Sequence, residues 1–124
     1  MSDPTAVLLV DDEEEFVSTL SERLEIRGFD SKTATSGEQA LSLFENHDFD
    51  AVVLDVKMPG MDGLEIMDHI KEKHPETPVI LLTGYGSTKE GMEGMHKGAF
   101  DYLMKPLDID ELISKIREAI GGPR

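Results

Sequence analysis

The chain alternates short apolar runs with stretches in which apolar residues recur every three or four positions. Uninterrupted apolar runs of about five residues are typical of strands covered on both faces of a parallel sheet. The pattern predicts five strands, the second of them weak, over residues 5–10, 29–34, 50–55, 78–83 and 100–104. Each predicted strand precedes a segment with helical spacing, which gives five strand–helix units.

Turn and capping residues indicate where these helices begin and end. The first helical stretch begins at Asp12 and is stopped by Gly28. Ser36 and Gln39 form a capping-box pattern that opens the second helix. The remaining helices are predicted after Gly63, over residues 88–97, and after a cap formed by Asp108 and Glu111.

The predicted fourth helix contains two glycines, Gly91 and Gly94. Each costs about 1 kcal/mol relative to alanine in a helix interior. Two interpretations follow, since the helix is either marginal and mobile or packed so closely against its neighbours that only glycine fits.

Strict alternation of strand and helix predicts an α/β fold, a doubly wound parallel sheet with helices on both faces. A length of 124 residues suits one domain. No linker, repeat or low-complexity segment interrupts the sequence, so residues 1–124 are interpreted as a single domain. Residues 121–124 are either a terminal tail or the stub of a linker.

The 12 basic and 26 acidic residues give a formal charge of −14. With 39% hydrophobic residues, the chain has enough apolar material for a folded core. Its negative charge disfavours direct nucleic-acid binding and attracts cations and basic protein faces. The absence of cysteine excludes disulfides and thiolate ligands. No apolar run approaches the roughly 20 residues of a membrane span and no signal peptide is recognisable, so we expect a cytoplasmic location without membrane contact.

Polar residues follow four of the five predicted strands. They are Asp11 and Asp12 after the first, Asp55 after the third, Thr83 after the fourth and Lys105 after the fifth. Ligands of open parallel sheets bind beyond the carboxyl ends of the strands. We therefore expect these side chains to meet at one edge of the sheet. The acidic residues 13–15 are assigned to the helix N-terminus, where negative charge is favourable.

Three carboxylates at one edge repel one another, by roughly 3 kcal/mol for each ionised pair at ~5 Å and an effective dielectric near 20. Lys105 offsets part of this repulsion, and a hard divalent cation with oxygen ligands, Mg²⁺, would offset more. Zinc is disfavoured because no histidine or cysteine ends a strand. One carboxylate can instead act as a nucleophile toward phosphorus. Asp55 is our choice because it stands alone, whereas Asp11 and Asp12 can share the ion.

Five segments at the ends of these elements form a recognisable set: Leu9-Val-Asp-Asp12, Val53-Leu-Asp55, Met58-Pro-Gly-Met-Asp-Gly63, Leu82-Thr83-Gly84 and Gly98-Ala-Phe-Asp-Tyr-Leu-Met-Lys-Pro106. In this order they resemble the receiver domain of bacterial two-component response regulators, and the resemblance covers nearly the whole chain. It implies a flavodoxin-like fold with strand order 2-1-3-4-5 and a site at the junction of the first and third strands. It also implies a cis peptide between Lys105 and Pro106.

The resemblance implies a role for each residue at this edge. Asp55 would accept a phosphoryl group from a phosphohistidine on a sensor histidine kinase or phosphotransfer protein. Mg²⁺ would be held by Asp11, Asp12, Asp55 and the backbone carbonyl of Lys57. Lys105 would pair with the phosphoryl oxygens, and Thr83 would donate a hydrogen bond to them. Such a set supplies positioning and charge neutralisation, which are what phosphoryl transfer mainly needs.

A conformational switch follows from the same resemblance. When Thr83 moves toward the phosphoryl group, Tyr102 at the switch-aromatic position can turn inward. The face made by the fourth helix, fifth strand and fifth helix would then present a changed surface to an output domain or target protein. Lys57 and Tyr85 occupy positions that flank the mouth of the site in this family. Because both are bulky, we predict slow loss of the phosphoryl group.

The chain is thus interpreted as a signalling switch, not an enzyme acting on an independent substrate. One alternative is an aspartyl-phosphate phosphatase, which usually needs a second acid two residues after its nucleophile, where this chain has Lys57. Another is a flavin-binding module on the same architecture. The carboxylates at the sheet edge would repel the flavin phosphate, and no Ser/Thr-rich phosphate loop follows the first strand.

Overall fold

The structure, a computed structural model, describes residues 4–58, 60, 62–84 and 88–121. Five parallel strands form one sheet in the order β2-β1-β3-β4-β5. The strands are β1 (Ala6–Val10), β2 (Asp30–Ala34), β3 (Ala51–Asp55), β4 (Val79–Thr83) and β5 (Asp101–Met104). The helices are α1 (Glu14–Ile26), α2 (Gly37–Asn46), α3 (Gly63–Lys73), α4 (Thr88–His96) and α5 (Ile109–Ala119). The predicted doubly wound fold and its strand order are confirmed.

Alternate residues of each central strand face two separate apolar layers. In β1, Val7 and Leu9 pack in the layer that includes α1 and α5, whereas Leu8 and Val10 pack in the layer that includes α2 and α3. All residues of β3 and β4 are buried, which explains their uninterrupted apolar runs. The edge strand β2 is partly exposed, so its sequence signal is weak.

The helices contain between 9 and 13 residues. Within the described ranges, no helix has both the length and the apolar character needed to cross a bilayer. The predicted cap of α2 forms only in half, since Ser36 accepts a hydrogen bond from the backbone N–H of Gln39 at 3.1 Å. The side chain of Gln39 accepts from the N–H of Thr35 instead. At α5, Asp108 accepts from the N–H of Asp110 at 2.9 Å.

The first helix begins two residues later than its spacing predicts. α1 starts at Glu14, and Asp12 lies in the turn before it. The carboxylate of Asp11 shapes this turn, because its Oδ1 accepts a hydrogen bond of 2.9 Å from the N–H of Glu13. The predicted stop at Gly28 agrees with the structure, where this glycine has a φ of +91°.

The start of α3 is held against the end of β3. Asp62 and Glu65 form a complete capping box. The N–H of Gly63 donates to the carbonyl of Val56 at 3.1 Å. A Cβ at Gly63 would overlap the backbone carbonyl oxygen of Asp55, so glycine is required for this close approach.

The two glycines of α4 allow the helix to lie directly on the sheet. A Cβ at Gly91 would come within 2.9 Å of the Thr83 methyl group and 3.3 Å of the Tyr102 ring. A Cβ at Gly94 would overlap the side chain of Leu81. The structure therefore supports the close-packing interpretation of these glycines, and the mobility of α4 stays a prediction.

Candidate functional site

Three carboxylates meet at the carboxyl edge of the sheet. Asp11, Asp12 and Asp55 each offer an oxygen, and these oxygens lie within 4.8 Å of one another. Asp11 and Asp55 are buried, with 1% and 6% of their surface exposed, whereas Asp12 is exposed. The structure thus brings together the three acids that the sequence placed at one edge.

Strand pairing explains why these acids meet. β1 and β3 are parallel neighbours with Val10 paired to Leu54, so both strands end at the same level. The backbone N–H of Asp11 donates to the carbonyl of Ala34 at 3.1 Å, which holds its main chain at the sheet edge. Oδ1 of Asp55 accepts a hydrogen bond of 3.2 Å from the N–H of Lys57, which fixes one oxygen of this carboxylate.

Lys105 brings a positive charge into this group of acids. Its Nζ lies 2.7 Å from Oδ2 of Asp11, 2.8 Å from Oε1 of Glu13 and 3.8 Å from Oδ2 of Asp55. The ring of Phe16 lies on another side, with its centroid 4.5 Å from Nζ. The peptide between Lys105 and Pro106 is cis, as the resemblance implied.

Glu13 is a site residue that sequence reasoning missed. It was grouped with its acidic neighbours as a helix N-terminal residue, yet its carboxylate contacts Lys105 at 2.8 Å. Nothing in the local sequence separates Glu13 from Glu14 and Glu15. The difference arises because Glu13 precedes the first helical residue and contacts the ammonium of Lys105, a residue 92 positions later in the chain.

Burial and charge shift the pKa values of two central groups. Burial, with contributions from the negative charges of Asp11 and Asp12, raises the pKa of Asp55 to about 6 against the lowering effects of Lys57 N–H and Lys105. Burial alone would lower the pKa of Lys105, but its contacts with Asp11 and Glu13 outweigh this effect and raise it to about 12. At neutral pH the lysine is therefore fully charged, and Asp55 is mostly ionised.

The donor set fits a hard divalent cation. All three side chains offer carboxylate oxygens, the ligands that Mg²⁺ prefers. Oδ2 of Asp11 is buried and accepts no hydrogen bond from the described residues, although Nζ of Lys105 lies 2.7 Å away. A metal ion would satisfy this oxygen and reduce the repulsion among the acids.

Thr83 and Tyr102 lie side by side under α4. The Thr83 side chain is fully buried, and its hydroxyl donates a hydrogen bond of 3.4 Å to the carbonyl of Leu103 on β5. Tyr102 is half-buried and packs against the apolar layer that contains Leu81. The two residues that sequence reasoning assigned to a switch therefore share contact with one helix, through Gly91.

The structure describes one of the two residues expected to flank the mouth of the site. The side chain of Lys57 is 62% exposed and forms an ion pair with Glu90 of α4, with 3.5 Å between Nζ and Oε1. Tyr85 lies outside the described residues.

Comparison with known proteins gives one consistent family. The family model of the response regulator receiver domain matches residues 7–117. The regulatory protein AtoC of Escherichia coli (strain K12) is 38% identical over 114 residues, which are 92% of this chain and 25% of AtoC. The transcriptional regulatory protein CpxR of the same strain is 43% identical over 111 residues, which are 90% of this chain and 47% of CpxR.

Solved structures agree with this match. The crystal structure of a response regulator receiver domain protein from Clostridium thermocellum has a TM-score of 0.89 and 37% identity, and the alignment covers 94% of each chain. The chain spans between a quarter and about half of the length of the two curated relatives. Since the family model covers most of the chain and the sheet order and acidic edge follow the same pattern, this chain belongs to the receiver domains of two-component response regulators.

Proposed function

We propose that this receiver domain accepts a phosphoryl group on Asp55 from a phosphohistidine of a sensor histidine kinase or phosphotransfer protein. The observation that carries the proposal is one buried carboxylate that lies 3.8 Å from a lysine ammonium and within 4.8 Å of two further acids. Asp55 has one oxygen fixed by the N–H of Lys57 and the other 3.8 Å from Nζ of Lys105. This arrangement combines a nucleophile with groups that stabilise an incoming phosphoryl oxygen.

The transfer step is a displacement at phosphorus. A carboxylate oxygen of Asp55 forms the new bond, the bond between phosphorus and the imidazole nitrogen breaks, and the imidazole keeps that electron pair. Because its pKa is about 6, Asp55 is mostly ionised at neutral pH and needs no base. Lys105 moves its ammonium from Asp11 and Glu13 toward the developing oxygen charge.

Mg²⁺ bound by Asp11, Asp12, Asp55 and the backbone carbonyl of Lys57 would supply the positive charge that the phosphoryl oxygens require. The chain contributes the ligands and their placement. Asp11 is fixed by the strand pairing of β1 and by its contact with Glu13, whereas Asp12 is exposed and free to adjust. The protein therefore contains one rigid and one adaptable acid beside the acceptor.

The switch proceeds from the hydroxyl of Thr83. This hydroxyl leaves the carbonyl of Leu103 and donates to the phosphoryl group, and Tyr102 turns inward beside it. The α4-β5-α5 face then changes its surface. Four large apolar side chains on α4, β5 and the turn between them are already exposed there: Met92, Met95, Phe100 and Met104.

A groove beside Lys105 supports the approach of a protein partner. It has a volume of about 750 Å³ and runs between α1 and the segment that leads into α5. Phe16, Leu20, Leu107 and Ile109 give it an apolar lining next to the ammonium. A partner that carries a phosphohistidine could bury an apolar surface here while its phosphoryl group reaches Asp55.

The chain acts in this proposal as one domain, with residues 121–124 a tail or linker stub. The output domain or downstream target supplies any contact with DNA, because a charge of −14 disfavours direct binding. The phosphatase alternative is disfavoured because the position of its second acid holds Lys57, whose ammonium pairs with Glu90. The carboxylate cluster likewise disfavours a flavin phosphate.

Mass spectrometry after incubation with acetyl phosphate and Mg²⁺ tests the proposal. We expect one labile phosphoryl adduct on the wild-type protein and none on Asp55→Asn. Asp30→Asn, which alters an exposed acid on the edge strand β2, serves as the matched control and should be phosphorylated normally. An adduct that persists in Asp55→Asn, or no adduct on the wild type, would contradict the assignment.

A further inference from the structure

Lys57 and Glu90 connect the loop after β3 to α4. Nζ of Lys57 lies 3.5 Å from Oε1 of Glu90, and no other ion pair joins these two segments among the described residues. Lys57 also donates its backbone N–H to Oδ1 of Asp55. The same residue therefore contacts the acceptor carboxylate through its main chain and α4 through its side chain.

Glu90 is more constrained than an ordinary surface glutamate. Its side chain is 30% exposed, and its Oε2 is buried and accepts no hydrogen bond from the described residues. The two residues border a cavity of about 480 Å³ that Val56, Met58 and Leu64 also line. Because one of its carboxylate oxygens is desolvated, Glu90 depends strongly on the cation of Lys57.

Glu90 also lies next to the contact between α4 and the switch residues. The following residue, Gly91, sits against the Thr83 methyl group and the Tyr102 ring, where a Cβ would already be crowded. We call this arrangement, with the Thr83 hydroxyl on the carbonyl of Leu103, the seated position of α4. An ion pair at Glu90 restrains the helix one residue away from that contact.

We propose that the Lys57–Glu90 ion pair is a latch that holds α4 in the seated position and opposes the phosphorylated arrangement. This inference rests on the proposed phosphoryl acceptance by Asp55. A phosphoryl group adds negative charge beside the loop that carries Lys57 and competes with Glu90 for its ammonium. Release of Glu90 then frees α4 from its seat as Thr83 turns toward the phosphoryl group.

Reciprocity makes the latch measurable. If the ion pair favours the seated position by a given factor, its removal must raise the affinity of the protein for a phosphoryl analogue by up to that factor. A partly exposed pair contributes modestly, so an increase of about two- to fivefold is expected.

The test measures binding of beryllofluoride, a phosphoryl analogue, in the presence of Mg²⁺. Glu90→Gln should bind it about two- to fivefold more tightly than wild type, whereas in a Lys57→Met background, where the ion pair is already absent, Glu90→Gln should leave the affinity unchanged. Glu93→Gln, an exposed glutamate on the same helix, is the matched control and should not change it.

Different outcomes separate the latch from the proposed function. Wild-type affinity in Glu90→Gln, or an equal gain from Glu90→Gln in the Lys57→Met background, overturns the latch. A lower melting temperature without any change in analogue affinity would show that the pair is merely structural and also overturns it. If wild type and Asp55→Asn bind beryllofluoride equally poorly, the proposed function fails. The latch is then decided by hydrogen exchange of the α4 amides, which it requires to be faster in Glu90→Gln than in Glu93→Gln.

Discussion

Lys105, at the end of β5, forms an ion pair of 2.7 Å with Asp11, at the end of β1. These strands are not neighbours, because β3 and β4 lie between them. Three strand spacings correspond to about 14 Å, so the lysine side chain reaches back across the carboxyl edge of the sheet. In this position the ammonium occupies the space in which a metal ion shared by the acids would be stabilised most strongly.

Replacement of Lys105 should therefore have opposite effects on two ligands. In Lys105→Met, Mg²⁺ no longer competes with the ammonium for Asp11, and we expect Mg²⁺ affinity to rise about tenfold. Acceptance of a phosphoryl group from acetyl phosphate should fall sharply, because the phosphoryl oxygens lose their charge partner. Calorimetric titration with Mg²⁺ and the rate of adduct formation measure the two effects. Lys115→Met, which breaks an ion pair with Asp101 elsewhere, should alter neither. Weaker Mg²⁺ binding in Lys105→Met would contradict the competition.

The pKa of Asp55 predicts how stability depends on pH. Burial raises this pKa from 3.8 to about 6, so the folded state favours the protonated acid. The stabilisation of the folded state by protonated Asp55 is fully present below the pKa that this group has in the unfolded chain, and it is lost as pH rises through about 6. Metal-free wild type should thus lose about 2 to 3 kcal/mol of unfolding free energy relative to Asp55→Asn between about pH 4 and about pH 7.5.

Urea unfolding in the presence of a chelator measures this difference. Asp30→Asn is the control, since it removes an exposed carboxylate, and its offset from wild type should stay constant with pH. Parallel pH profiles for wild type and Asp55→Asn would refute the raised pKa.

Asp12 should separate metal binding from folding. Its side chain is exposed and repels the neighbouring carboxylates, so Asp12→Asn should not destabilise the metal-free protein. Mg²⁺ at about 100 times its dissociation constant should stabilise wild type by about 2.7 kcal/mol. Most of that gain should disappear in Asp12→Asn and persist in Glu14→Gln. Thermal unfolding with and without Mg²⁺ provides the measurement, and an equal Mg²⁺ effect in wild type and Asp12→Asn would exclude Asp12 as a ligand.

Gly94 gives a stability prediction that helix propensity alone would reverse. Alanine in a helix interior gains about 1 kcal/mol over glycine, but a Cβ here would overlap Leu81, which is fully buried. Overpacking costs about 1–3 kcal/mol, so Gly94→Ala should be less stable than wild type by about 1 kcal/mol. Glu93→Ala, whose side chain is exposed, should stay within about 0.5 kcal/mol of wild type. A stabilised Gly94→Ala would mean that α4 is not held closely against the sheet.

The sequence predicted the sheet and its acidic edge because both depend on local patterns. Buried parallel strands read as apolar runs, and residues directly after them must lie at one edge, as Asp11 and Asp55 do. Contacts between distant segments leave no comparable pattern in the local sequence. Glu13 looks like its acidic neighbours, and its role appears only when Lys105 arrives from β5. The pairing of Lys57 with Glu90 likewise depends on how closely α4 sits on the sheet.

The contact between Glu13 and Lys105 joins residues that are 92 positions apart. A ribosome that has synthesised only the first four strands has therefore made every acid of the cluster without the counter-charge that balances them. The charge balance at the carboxyl edge is therefore completed only when the last strand joins the sheet.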